Sequence, residues 1–151
     1  MTNTIENQII KKIKKAKRGT LFFVESFLGA GSANSVNKTL ERLVAKGELM
    51  KVATGIYVLP RKDSIIGVVT PGIEEIAKAI ARRDKARIVP TGTYALNRLG
   101  LSTQVPLKVV YLTDGAARKI KIGNTTMLTN QLGYVMQNEH QLFNPAAIIE
   151  I

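Results

Sequence analysis

The side chains in this sequence that could do chemistry are few, and most of them bond rather than react. No cysteine is present, which excludes disulfides, thiolate metal sites and cysteine nucleophiles and fits a reducing cytosol. His140 is the single histidine, beside Glu139 and with no partner at a catalytic spacing. Asp63, Asp84 and Asp114 stand next to turns, where aspartate is favoured by bonds to nearby backbone. No G-x-S-x-G, P-loop or H-E-x-x-H spacing occurs. Gly29-x-Gly31 lacks the third glycine of a dinucleotide loop, since Asn34 holds that place. These residues predict no enzyme, no cofactor and no metal. The sequence does offer Asn34, Ser35, Asn37 and Lys38 in a row of five. Asparagine can pair bidentately with adenine and lysine can donate to guanine, so these four are base-contact candidates for double-stranded DNA.

An element must hold them. Val36, Leu40, Leu43 and Val44 recur at helical spacing, Ser32 stands where an N-cap belongs, and Gly47 stands where a C-terminal glycine belongs. This pattern predicts a helix over 33–46. Its other face carries Asn34, Ser35, Asn37, Lys38, Glu41 and Arg42. Next comes a hairpin: a run at 49–52, a turn at 53–55, and a return at 56–59 closed by Pro60. Upstream, Thr4 can cap a first helix reaching about Lys17, with Ile5, Ile9 and Ile13 on one stripe. Residues 20–23 predict a strand pairing with the hairpin, and 24–28 a short helix with Phe27 and Leu28 inward. Residues 29–31 then form the turn between two helices. A polar-faced helix followed at once by a hairpin is the core of a winged helix-turn-helix, whose second helix would lead into the major groove with its N-terminal residues. The phosphate-contact candidates around it are Lys14, Lys15, Arg18, Arg42, Lys46, Lys51, Thr54, Arg61 and Lys62.

Charge points the same way. The 151 residues carry a formal net charge of +11, of which residues 1–62 hold +8 and residues 63–151 hold +3. Excess cation concentrated beside the polar helix favours a polyanion partner. Hydrophobic residues make up 45%, enough for packed cores and against bulk disorder. The N-terminus reads as no signal peptide, because Glu6, Asn7, Gln8, Lys11 and Lys12 interrupt it. No stretch reads as a membrane span, so a cytoplasmic protein is expected.

Residues 61–64 read as a polar connector, placing a boundary between domains 1–62 and 63–151. Beyond it the sequence predicts a strand at 65–69, a helix at 73–83 opened by Pro71, a strand at 86–89 and a helix at 93–99 ended by Gly100. Residues 107–113 are strongly apolar. Asp114-Gly115 turns them, and Arg118–Ile122 with 125–129 forms a hairpin around Gly123-Asn124. The class expected is α+β: a winged helix-turn-helix followed by a small α+β domain with an antiparallel sheet. The apolar end at 146–151 reads as a docked element. Arg82, Arg83, Lys85, Arg87, Arg118, Lys119 and Lys121 form a secondary basic surface.

The run FLGAGSANSVNKTLERLVAKGELMKVATGIYVLP resembles the N-terminal winged helix of AbiEi-like antitoxin proteins, in the subgroup DUF6088. The run ARIVPTGTYALNRLGLSTQVPLKVVYLTDGAARKIKIGNTTM resembles the second domain of that subgroup. The resemblance implies a bacterial type IV toxin–antitoxin antitoxin. Such a protein represses its own operon, probing inverted-repeat operator DNA with two copies, a homodimer on DNA. Its second domain counteracts a nucleotidyltransferase-like toxin without needing direct contact. Many relatives carry Arg where this chain has Thr54, which weakens the wing tip as a minor-groove reader. Two rivals stand beside this expectation: a protein-interaction module without specific DNA binding, and a nucleotide-binding enzyme.

Overall fold

The computed structural model describes residues 4–131. His140 and the segment 146–151 lie outside them. The chain divides into two compact units between Pro71 and Gly72, nine residues beyond the boundary read from the sequence.

In the first unit α1 (Ile5–Lys14) opens on Thr4, whose hydroxyl accepts from Asn7 N at 3.3 Å. The helix stops three residues short of the expected Lys17. Gly19 at φ +89° turns the chain so that its N–H donates to Leu59 O at 2.8 Å, and that tertiary bond sets the end. Strand β1 (Leu21–Phe23) leads into a 3₁₀ helix, Val24–Ala30. Only one of the two predicted inward residues faces the core. Phe27 is buried and Leu28 is 43% exposed. Three residues per turn set neighbours about 120° apart, so adjacent residues cannot share a face.

Helix α2 (Ala33–Ala45) comes next, then β2 (Met50–Ala53) and β3 (Ile56–Val58). The sheet order is β1-β3-β2, all antiparallel, with Phe22 opposite Tyr57 on one side and Lys51 opposite it on the other. Ile9 and Ile13 of α1, Val36, Leu40 and Leu43 of α2, Phe22, Phe27, Leu49 and Tyr57 make one core. Gly31 lets α1 approach the turn closely: a Cβ there would sit 2.5 Å from Ile5 Cδ1. The expected connector at 61–64 is instead half of a second hairpin, β4 (Arg61–Asp63) with β5 (Gly67–Val69). Asp63 Oδ1 accepts from Ile65 N and Ile66 N at 2.8 and 3.2 Å, and this turn takes Ile65 and Ile66 out of the predicted strand.

The second unit contains α3 (Ile73–Asp84), β6 (Ile88–Pro90), α4 (Gly92–Arg98), β7 (Lys108–Thr113), β8 (Arg118–Ile122) and β9 (Thr125–Gln131). The sheet order is β6-β7-β9-β8. Ile76 and Ile80 of α3, Val109 and Tyr111 of β7, and Met127 of β9 are buried. The molecule is α+β. Its larger sheet departs from the antiparallel expectation in one pair, since β7 and β9 run parallel. The four residues after Thr113 carry the chain past one strand position, and the tight turn at Gly123 sends β9 back through the gap beside β7.

Candidate nucleic-acid interface

The first turns of α2 are positioned from two sides. Val36, Leu40 and Leu43 are wholly buried and fix the rotation of the helix. Ser32 Oγ accepts from Ser35 N at 3.3 Å and donates to Ser35 Oγ at 2.9 Å, which holds the N-terminus. Gly47 (φ +74°) closes the other end, with Glu48 N donating to Leu43 O at 3.0 Å and Gly47 N to Val44 O at 3.0 Å. With that rotation Asn34 and Lys38 are exposed, while Ser35 and Asn37 are half-buried. An open groove of about 560 Å³ runs between α1 and α2, lined by Thr4, Ile5, Glu6, Ser35, Lys38, Thr39 and Arg42.

The phosphate candidates fall into separate groups. Arg42 and Lys46 sit along α2 beyond Lys38, and both face Glu6 of α1. Lys46 Nζ lies 2.7 Å from Glu6 Oε1 and an Arg42 nitrogen 3.6 Å from Glu6 Oε2. The Lys46 hydrogen bond and charge, with a lesser pull from Arg42, hold the Glu6 carboxyl below its ordinary range against the opposing effect of desolvation. Arg42 also donates to Lys38 O and Thr39 Oγ1, each at 3.4 Å. Lys14 ends α1, about 12 Å along the axis from Glu6 at 1.5 Å per residue, and Lys15 and Arg18 follow it. Arg18 donates to Pro60 O at 3.3 Å, which sets that cationic end beside Arg61 and Lys62 of the exposed β4. Lys51 and Thr54 are exposed on the first hairpin. Its tip is short and tied down, since Val24 N donates to Gly55 O at 3.1 Å.

The secondary basic surface of the second unit is partly spent on internal pairing. Asp84 receives Arg83 Nε at 3.0 Å and Arg118 Nε at 2.5 Å. Asp114 receives both Arg87 N at 2.6 Å and Arg87 Nε at 2.8 Å. Arg82, Lys85, Lys119 and Lys121 are exposed. Lys119 and Lys121 alternate with Ile120 and Ile122 on β8, an edge strand among the described residues, where lysine discourages pairing with another chain.

Sequence reasoning missed Glu6 as counter-ion to α2, and Lys12, whose Nζ donates to Ser26 O at 2.5 Å and lies 5.3 Å from the Phe27 ring centre. It also missed Glu74 in the second unit. Glu74 bonds Arg98 and Lys78, and Arg98 above all draws its carboxyl down to about 2. An acid in the first turn of α1 suits the helix dipole, and that was the one signal visible for Glu6. Among the described residues no group of three His, Asp or Glu side chains could hold a metal, and no helix is long and apolar enough to cross a membrane.

The fold and this surface together define a two-unit α+β protein with a polar, cation-bearing helix face on its first unit. Residues 8–133, most of the chain, match the family described as "Family of unknown function (DUF6088)", and the chain belongs to that family. No curated protein and no solved structure matches it.

Proposed function

We propose that the first unit is a winged helix-turn-helix that binds operator DNA, and that the protein is the autorepressing antitoxin of a type IV, AbiE-like toxin–antitoxin system. The observation that carries this is the fixed rotation of α2: Val36, Leu40 and Leu43 are wholly buried, and Asn34, Ser35, Asn37 and Lys38 lie outside that stripe with Arg42 and Lys46 behind them. Such a helix meets base edges with its first turns and phosphates further along. The +8 held by residues 1–62 supports the same reading. The second unit is then the part that counteracts a nucleotidyltransferase-like toxin. That assignment rests on the resemblance of residues 86–127 to the second domain of antitoxins.

The test is a gel shift with the intergenic DNA upstream of the gene. Asn37→Ala or Lys38→Ala should weaken specific retention by roughly fivefold to a hundredfold, the range for loss of a base contact. The midpoint should also move steeply with salt. Retention of unrelated DNA with equal affinity, or variants as tight as the wild type, would sink the reading.

A further inference from the structure

The loop after α4 departs from how a small unit usually treats its aliphatic residues. Leu96, Leu99, Leu101, Val105 and Leu107 are 46%, 72%, 72%, 83% and 72% exposed. They stand within residues 96–107, around a built loop. Gly100 takes φ +73°, Leu101 N donates to Leu96 O at 2.9 Å and Gly100 N to Asn97 O at 3.1 Å, which is the Schellman closure of a helix. Asn97 then staples the next few residues: its Nδ2 donates to Ser102 O at 3.2 Å and to Gln104 O at 2.9 Å. Ser102 Oγ accepts from Gln104 N at 3.2 Å. The first closure brings the Leu101 backbone to Leu96, and the second brings the Gln104 backbone, next to Val105, to Asn97 on the last turn of the helix. An aliphatic patch held open by its own hydrogen bonds is preorganised for a partner.

We propose that this patch is a homotypic contact, occupied by the same patch of a second copy of the chain. Charge argues for it. Two chains of net +11 repel, so a contact between copies needs a neutral centre. Residues 96–107 contain one charged side chain, Arg98, and it is bound to Glu74. Area agrees. A specific, non-obligate contact of standard size buries about 800 Å² per partner, a little over half of it apolar. Five large aliphatic side chains at these exposures supply several hundred Å², and the polar Ser102, Thr103 and Gln104 supply a rim. A two-fold contact is self-complementary, so a single patch suffices. Its use in holding two copies on an inverted repeat rests on the operator reading; the contact itself does not.

Sedimentation of the full chain without DNA tests it, at concentrations from about 1 to about 100 μM, where a micromolar contact passes from mostly open to mostly closed. The wild type should shift from monomer to dimer across that range. Val105→Asp, and separately Leu107→Lys, should remain monomeric with melting temperatures unchanged. A wild type that stays monomeric throughout overturns the proposal, as does a Val105→Asp chain that dimerises normally. Failure here leaves operator binding untouched, and a failed gel shift leaves this result untouched.

Discussion

If α2 binds DNA as proposed, Glu6 decides how much of its cation reaches a phosphate. Its carboxylate occupies Arg42 and Lys46 at the rim of the groove that also holds Lys38. A bound duplex has to replace that carboxylate with phosphate oxygens. Glu6→Gln should therefore tighten DNA binding by about twofold to tenfold and steepen its salt dependence by about one unit per cation released. Titrations at three salt concentrations check this, and an unchanged slope would mean that Arg42 and Lys46 never reach the DNA. A second carboxylate makes a prediction about acid. Arg98 and Lys78 draw Glu74 from an ordinary 4.5 to about 2. A group depressed on folding contributes its stability above the unfolded value and loses it as pH falls through the folded one. The urea midpoint of the second unit should thus fall between pH 4.5 and 2, and Glu74→Gln should fall less over that window. Parallel curves for the two proteins would refute it. The partners across elements were not legible in the sequence, because Lys46 lies forty positions from Glu6 and Arg98 twenty-four from Glu74, whereas Lys78 follows Glu74 at i+4 on the same helix. Pairings across elements leave no local periodicity. Asn34 and Lys38 were legible for the opposite reason, since helical spacing alone puts them opposite Val36, Leu40 and Leu43.

Helix ends show where local pattern reaches its limit. Gly47 and Gly100 take positive φ at the positions their sequence context predicts. Lys85 does the same job at the end of α3 with φ 52°, closed by Ala86 N to Ala81 O at 2.9 Å and Lys85 N to Arg82 O at 3.3 Å. Composition gives no warning of it, because lysine is not a left-handed residue by habit. A non-glycine residue held there costs about 1 kcal/mol or more. Lys85→Gly should stabilise the second unit by about 1 kcal/mol, or roughly 4–8 °C in melting temperature. A lower melting point would show that Lys85 makes a contact outweighing the strain. The turn after β7 is set differently. A Cβ on Gly115 would meet Ala86 Cβ at 2.6 Å, and a methyl group on backbone cannot swing aside. Gly115→Ala should cost about 1–3 kcal/mol, and Ala86→Gly in the same chain should recover most of it. Failure of the pair to restore stability would place the strain elsewhere. The β8–β9 hairpin was readable from Gly123-Asn124, whereas the parallel β7–β9 pairing was not. Turn residues specify the strands they join, and β7 and β9 are joined by no turn.

At the scale of the whole molecule the question is whether DNA answers to total charge or to one surface. A net +11 attracts any polyanion, so loss of binding when cations are removed does not by itself locate a site. The fold allows the two to be separated, because both units carry exposed cations. Lys14, Lys15 and Lys38 lie on the first unit, and Arg82, Lys119 and Lys121 on the second. Two triple variants to glutamine lower the net charge equally. If the first unit is the reader, its variant should lose about a hundredfold or more in affinity and flatten the salt slope by about three units. The second-unit variant should change affinity by no more than about threefold, the loss of long-range attraction alone at moderate salt. Equal losses would mean that binding is bulk attraction and that the rotation of α2 carries no recognition. A larger loss from the second unit would move the nucleic-acid surface to the edge of the β6-β7-β9-β8 sheet, where Lys119 and Lys121 would act as more than guards against strand pairing.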